Sequence, residues 1–120
     1  MAAPVVHFEI MGRAGSGAAL QDFYGKLFEW KVNADNPMKY GLVEKGEVGI
    51  GGGIGEAPEG RPGHATIYVA VPDTDEYLKK AEALGGKICV PTTVIPGMVT
   101  FAMFTDPQGN MIGLVNDKMP

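Results

Sequence analysis

His7 and Glu9 are the residues whose types and spacing best suit chemistry. They stand two positions apart in Val5-Val-His-Phe-Glu-Ile10, a β-branched and aromatic run that predicts a strand. Successive side chains of a strand alternate between its faces, so the imidazole and the carboxylate share one face. Both groups can accept an acidic proton near neutral pH when their surroundings favour it. We predict both as catalytic residues, the alternatives being a half-buried structural histidine and a solvated or salt-bridged carboxylate.

Several aromatic and apolar side chains are candidates for ligand contact. Tyr40 and Tyr68 alternate with apolar residues in predicted strands, where a tyrosine is either core or part of a binding surface. Phe101 and Met103 share one face of a later strand, and the opposite face of that strand is the alternative lining. We predict that these four residues bind a ligand.

The elements that position these residues occur twice in the same order. In the first half, Ser16 is a candidate N-cap for an amphipathic helix over Gly17–Glu29. Three short strands are then predicted at Lys31–Ala34, Met38–Glu44 and Glu47–Gly52. In the second half, a strand at Ala65–Val71 leads to a helix that begins after Asp73 and ends at Gly85-Gly86. Its three strands are predicted at Lys87–Val90, Met98–Thr105 and Met111–Asn116.

The segment between the halves, Gly51–Gly63, is rich in Gly and Pro and predicts a linker. Its glycines are not a phosphate-binding loop, because no helix follows them. The sequence thus predicts a single α+β domain over residues 1–120, made of two βαβββ modules at about 1–54 and 64–120. Each module is too small to cover its own sheet, so we expect a cup-shaped half-barrel with a ligand-sized hollow.

Composition excludes several classes of protein. The 120 residues are 45% hydrophobic and carry a net charge of −4, so nucleic acid and anionic membranes are disfavoured as partners. Cys89 is the one cysteine, which excludes an internal disulfide framework, and we expect it to be a small buried residue. With neither a membrane-length apolar run nor a cleavable leader, we expect a cytoplasmic protein.

The order of elements and several local runs resemble the vicinal oxygen chelate superfamily, which contains glyoxalase I, bleomycin-resistance proteins and extradiol dioxygenases. The runs lie along nearly the whole chain at Val6–Ile10, Asp22–Trp30, Tyr68–Asp73, Ala83–Lys87 and Phe104–Asn110. No single run is diagnostic, and their order and spacing carry the resemblance. The pattern is most similar to the group of predicted enzymes related to lactoylglutathione lyase.

In metal-using members of that superfamily, four strand residues hold a divalent cation, and a substrate with two adjacent oxygens binds it. The resemblance puts His7 at the first ligand position and Thr66 at the equivalent position of the second module, where a histidine is usual. It puts Ile50 or Gly51 where the family has Glu or Gln, and Gly113 where it has Glu. One of four ligands remains, too few for a tight site. Thr66 therefore joins the predicted ligand-binding residues.

One alternative metal site is left open. His64 follows Pro62-Gly63 at a predicted strand start, where an exposed residue is expected. It lies two residues before Thr66, as Glu9 lies two after His7. His7, Glu9 and His64 would then make a two-histidine, one-carboxylate set of the kind that non-haem iron uses.

These features predict a glyoxalase/bleomycin-resistance-like protein that binds a small organic molecule in the cup without a tightly bound metal. Lyase or isomerase chemistry through His7 and Glu9 is compatible with this, whereas glyoxalase I and extradiol dioxygenase activities are disfavoured. The alternative is a divalent-metal-dependent lyase or dioxygenase of the same superfamily. The resemblance also implies a homodimer, which would cover the open sheet edges.

Overall fold

The computed structural model describes residues 2–118, which form two compact units. The amino-terminal unit contains residues 7–66, and the carboxy-terminal unit contains residues 2–6 and 67–118. Among the described residues, neither helix is long and apolar enough to cross a membrane.

The amino-terminal unit places one helix after its first strand and three strands after the helix. Its elements are β1 (Val5–Gly12), whose first two residues fall in the other unit, α1 (Gly17–Phe28), β2 (Val32–Asn33), β3 (Gly41–Val43) and β4 (Gly51–Glu56). The strands lie in the order β2-β3-β4-β1, with β1 parallel to β4 and the other neighbours antiparallel.

The carboxy-terminal unit repeats this order of elements. It contains β5 (His64–Val71), whose first three residues fall in the other unit, α2 (Thr74–Ala83), β6 (Lys87–Ile95), β7 (Val99–Thr105) and β8 (Met111–Asn116). The strands lie in the order β5-β8-β7-β6, again with the first strand parallel to the last. The predicted α+β class and the two βαβββ modules are therefore confirmed.

The predicted linker is wrong over its first six residues. Residues 51–56 form β4, which pairs with β1 on one side and β3 on the other, so only residues 57–63 remain as a loop. The strand predicted at Glu47–Gly52 is correspondingly displaced. Glycine is accepted here because rings from neighbouring segments lie against the strand: a Cβ on Gly52 would overlap the Phe8 ring.

The two helices are capped in different ways. Asp73 caps α2 as predicted, accepting from the backbone N–H of Asp75 at 3.0 Å and of Glu76 at 3.5 Å. Ser16 makes no side-chain cap on α1, because its hydroxyl donates to the Arg13 carbonyl instead.

The cap of α1 comes from the end of β4. The Glu56 carboxylate accepts from the backbone N–H groups of Gly15 and Gly17, both at 2.9 Å. These bonds lower the pKa of Glu56 below its ordinary value of 4.5. A carboxylate also suits the positive end of the helix dipole.

Apolar burial differs between the units as well. In the carboxy-terminal unit, α2 packs Leu78 into a buried cluster with Val71, Ala102 and Leu114. In the amino-terminal unit, α1 leaves large apolar side chains more than half exposed: Phe23 at 56%, Leu27 at 57% and Phe28 at 52%.

Cys89 is exposed, so the expectation of burial is wrong. It lies on β6, at the edge of its unit, where the register against β7 shifts between Ile88 and Val90. Lys87 and Ile88, which precede it on this edge strand, are exposed as well, so the exposure belongs to the whole beginning of β6.

Candidate functional site

The fold brings His7, Glu9 and Tyr40 together in the amino-terminal unit. His7 and Glu9 lie on β1, opposite Gly51 and Gly53 of β4. Tyr40 immediately precedes β3, which pairs with the other edge of β4. Residues 33 positions apart in the chain thus meet across one central strand.

Hydrogen bonds join the three side chains through the tyrosine hydroxyl. Tyr40 Oη lies 3.0 Å from His7 Nε2 and donates to Glu9 Oε2 at 2.8 Å. The His7 and Tyr40 rings are stacked, with centroids 6.3 Å apart and planes 19° apart. Glu9 is the buried member, with 8% of its surface exposed, whereas His7 and Tyr40 are half-buried.

Glycines of β4 make the room for the tyrosine ring. A Cβ on Gly53 would overlap the ring of Tyr40, and one on Gly55 would come within 2.9 Å of it. Real Cβ atoms do not come so close without a shift of the neighbour. The glycines of β4 thus leave the space in which the Tyr40 ring packs, and from there its hydroxyl reaches His7 and Glu9.

The protonation of this network follows from its geometry. Burial lowers the pKa of the His7 imidazole below its ordinary value of 6.5, and the negative charge of Glu9 acts in the opposite direction with the smaller effect. The imidazole is therefore neutral at pH 7. Because the single hydroxyl hydrogen of Tyr40 goes to Glu9, His7 Nε2 must be the donor to Tyr40 Oη, and Nδ1 is then the basic nitrogen.

Such a directed chain of donors can relay a proton. A proton taken up at His7 Nδ1 would release the Nε2 proton to Tyr40 Oη, and the hydroxyl proton would pass to Glu9. Every hydrogen bond in the chain would still have one donor and one acceptor. The arrangement can thus serve as a base, because the charge of the proton it takes up neutralises the buried carboxylate.

The other predicted contacts fall partly into a second group. Tyr68 and Met103 meet in the carboxy-terminal unit, where the Tyr68 hydroxyl lies 3.9 Å from the Met103 sulfur. Both stand in register with Gly113, and they are 7% and 6% exposed. Phe101 lies two residues before Met103 on β7 and is half-buried, and Thr66 is buried at 8% exposure.

Residues 2–118 do not fit a divalent metal. His7 is the one His, Cys, Asp or Glu among the positions that the resemblance aligns with family ligands, and its Nε2 is hydrogen-bonded to Tyr40. Over the same residues, no group of three His, Cys, Asp or Glu side chains could hold a metal ion, so His7, Glu9 and His64 are not gathered as ligands. His64 is half-buried rather than exposed, and its Nε2 finds no hydrogen-bond partner in the described chain.

Sequence reasoning identified all three members of the network but not the link between them. Tyr40 was predicted as a ligand contact, because its position relative to His7 depends on pairing between distant strands. One local signal did exist: consecutive glycines inside a strand indicate that something approaches the backbone closely.

Comparison with known proteins identifies the family to which the sequence is similar. The model of the "Glyoxalase/Bleomycin resistance protein/Dioxygenase superfamily" matches residues 7–114. Proteins called "Putative glyoxylase CFP32" in Mycobacterium bovis and Mycobacterium tuberculosis are 33% identical over 78 residues, which are 65% of this chain. The match spans 30% of those relatives' own length.

Solved structures share the fold. A glyoxalase/bleomycin resistance protein/dioxygenase superfamily member from Vibrio splendidus 12B01 has a TM-score of 0.60 and 17% identity, with 97% of this chain and 100% of that chain covered. The Mn(II)-bound glyoxalase from Novosphingobium aromaticivorans has a TM-score of 0.59 and 16% identity, with 98% of this chain and 39% of that chain covered. At these identities the likeness concerns architecture alone.

Proposed function

Because the chain belongs to the glyoxalase/bleomycin resistance protein/dioxygenase superfamily, we propose that it binds a small organic molecule at His7 and Tyr40 without a tightly bound metal. The observation that supports this is the hydrogen-bonded chain from His7 through Tyr40 to Glu9. A small-molecule site needs a few fixed polar groups beside apolar walls, and this network supplies the polar groups.

The burial of the three residues indicates a different role for each in ligand binding. His7 and Tyr40 keep exposed surface that a ligand can contact, whereas Glu9 is buried behind the tyrosine hydroxyl. A network that ends on a carboxylate favours ligands that donate a hydrogen bond or a proton over anionic ligands. Thr66 of the same unit is a further contact that we propose, whereas the contacts at Tyr68, Phe101 and Met103 of the carboxy-terminal unit stay predictions.

The same network would support lyase or isomerase chemistry on a bound molecule with an acidic proton. His7 would take the proton at Nδ1, and the Nε2 and Tyr40 hydroxyl protons would each pass one step along the chain to Glu9. The relatives named as glyoxalases, one of them in a Mn(II)-bound form, make metal-dependent chemistry the competing function. The donor set of residues 2–118 disfavours it.

Elemental analysis and ligand screening of the purified protein test the proposal. After chelator treatment, we expect a hit from a panel of planar aromatic compounds and uncharged 2-hydroxy ketones. A ligand at one hundred times its dissociation constant adds about 2.7 kcal/mol to the free energy of unfolding, which a thermal-shift assay detects. Stoichiometric zinc, manganese or iron that is required for binding would overturn the metal-free proposal.

Variants localise the site. Tyr40→Phe removes the link between His7 and Glu9 and should weaken binding of the hit about tenfold, or about 1.4 kcal/mol. Tyr24→Phe is the matched control, because Tyr24 stacks on Trp30 at 5.9 Å in the same unit. Equal loss in both variants would contradict the assignment.

The homodimer and the cytoplasmic location also remain proposals. A second copy of this chain is the proposed cover for the exposed Phe23, Leu27 and Phe28 on α1. Light scattering coupled to size exclusion should give twice the mass of 12.7 kDa, and Leu27→Asp should return it to the monomer value.

A further inference from the structure

We propose that Asn36 is a positioning residue that sets the Tyr40 hydroxyl between His7 and Glu9. The inference rests on the proposed function, because that function gives the position of this hydroxyl its importance. It concerns a side chain that acts on the network through the backbone of Tyr40.

One amide holds both backbone polar groups of Tyr40. Asn36 Nδ2 donates to the Tyr40 carbonyl at 2.7 Å, and the Tyr40 N–H donates to Asn36 Oδ1 at 2.9 Å. Paired bonds of this kind fix direction as well as distance. The amide thereby replaces a strand neighbour for a residue that lies just outside the strand.

Tyr40 immediately precedes β3, which explains why its backbone needs the two hydrogen bonds to Asn36. The paired register of β3 with β4 begins at Gly41, one residue after Tyr40. The ladder therefore fixes the following backbone but not the tyrosine itself. A small rotation of the Tyr40 backbone would displace a hydroxyl that lies at the far end of the side chain.

The segment before Tyr40 is held in a conformation that few sequences would adopt unaided. Lys39 has a positive φ of 52°, in the left-handed region. Its N–H donates to the Asn36 carbonyl at 3.0 Å, and its own carbonyl accepts from Gln21 Nε2 at 3.1 Å. Gln21 Nε2 also donates to the Ile54 carbonyl at 2.8 Å, which ties the segment to α1 and β4. Unusual backbone held by surrounding contacts is common where a functional group must be aimed.

A second asparagine, at the end of β2, provides a matched control. Asn33 Oδ1 accepts from the Asp35 N–H at 2.8 Å, an ordinary turn contact that does not involve Tyr40. If Asn36 only stabilised the loop, removing either amide would have similar consequences. If Asn36 positions Tyr40, only its removal would disturb the network.

Side-chain NMR of the ligand-free protein tests this difference. Spectra of ¹⁵N-labelled histidine report the tautomer of His7, and ¹³Cζ-labelled tyrosine reports the Tyr40 hydroxyl. His7 is assigned among two histidines, and Tyr40 among four tyrosines, by loss of the signal in His7→Gln and Tyr40→Phe. Because no ligand is present, the result does not depend on whether the proposed function is correct.

In Asn36→Ala, we expect the shift difference between the two His7 ring nitrogens to shrink as the tautomers mix. The Tyr40 ¹³Cζ signal should move toward that of an exposed tyrosine. Asn36→Asp keeps the acceptor and loses the donor, so it should move both signals in the same direction by less. Asn33→Ala should leave both in place.

Two results would overturn the proposal. One is a folded Asn36→Ala protein with unchanged His7 and Tyr40 signals, or with changes that Asn33→Ala reproduces. The other is loss of amide dispersion in both Asn36 variants. That result would show that Asn36 is required for folding rather than for positioning the Tyr40 hydroxyl.

Discussion

The two units use the same packing of a tyrosine on a glycine but surround the hydroxyl differently. Tyr40 covers Gly53 and joins a carboxylate and an imidazole, whereas Tyr68 covers Gly113 and its hydroxyl meets a thioether sulfur at 3.9 Å. Sulfur is a weak acceptor. We infer that packing of a tyrosine ring on a glycine is a feature of the fold shared by both units. The chemistry of each site depends on the residues that contact the tyrosine hydroxyl.

The largest difference we expect between the units is in the helices. Leu78 of α2 is 4% exposed and Leu27 of α1 is 57% exposed. Leu78→Ala should lower the free energy of unfolding by about 2–5 kcal/mol, and Leu27→Ala of the monomer by no more than about 0.5 kcal/mol. Urea denaturation at low protein concentration measures both. Equal losses would show that α1 is as deeply packed as α2.

Substituting the glycines tests whether the tyrosine packing is shared. Gly53→Ala and Gly113→Ala each place a Cβ into a tyrosine ring and should each cost about 1–3 kcal/mol. Gly46→Ala is the control, because a Cβ there has its nearest neighbour 3.8 Å away. Only Gly53→Ala should also change the His7 NMR signals. A change of the His7 signals in Gly113→Ala would contradict the difference that we infer between the two tyrosines.

Removing the hydroxyls should separate the two sites more finely. Tyr40→Phe withdraws a donor from the buried Glu9 carboxylate and should cost about 1–2 kcal/mol. Tyr68→Phe removes a contact to a thioether sulfur rather than to a carboxylate, so we expect a smaller loss than in Tyr40→Phe. Thermal and urea unfolding of the two variants side by side give the difference. A larger loss from Tyr68→Phe would reverse our assignment of the polar site.

The smallest effect that we expect is the pH dependence of the stability contributed by Glu56. The folded-state pKa of Glu56 is lowered, so its carboxylate adds stability above pH 4.5, and this contribution disappears as pH falls through the folded-state pKa. Wild type should therefore exceed Glu56→Gln in stability near pH 6, and the two should converge in acid. Ser16→Ala should show no such trend, since its hydroxyl bonds a carbonyl. A gap that widened on acidification would contradict the cap.

Asp106 gives the corresponding case in the other unit. The Asn110 side chain and neighbouring backbone N–H groups lower the pKa of Asp106 from its ordinary value of 3.8. Asp106→Asn should likewise approach the wild-type stability only at low pH. Its partners lie within four residues, so the loss should be confined to the turn.

What the sequence could predict depended on how close the determining residues are in the chain. The cap at Asp73 and the left-handed Gly85 at the end of α2 lie within a few residues of that helix, and both were predicted correctly. The shared face of His7 and Glu9 follows from alternation along one strand. Family membership followed from the order of such local runs.

The missed features depend on residues far apart. Glu56 reaches the start of α1 across 39 to 41 positions, so Ser16 was the nearer and wrong candidate for the cap. The glycines of β4 suggested a linker because composition does not reveal the rings that lie over them. Cys89 is exposed because it lies in the exposed beginning of the edge strand β6, and a short apolar run does not show which strand will lie at an edge.

The two caps also differ in when they become available during synthesis. Asp73 leaves the ribosome before α2, so the N–H groups of Asp75 and Glu76 can be capped as that helix emerges, whereas the Thr74 N–H waits for Asn116. The first turn of α1 must wait until Glu56 has been made and β4 has paired, about 40 residues later. Until then its leading N–H groups depend on water. The side-chain cap of α1 is therefore tied to completion of the last strand of its unit, whereas α2 depends on its own last strand only for the Thr74 N–H.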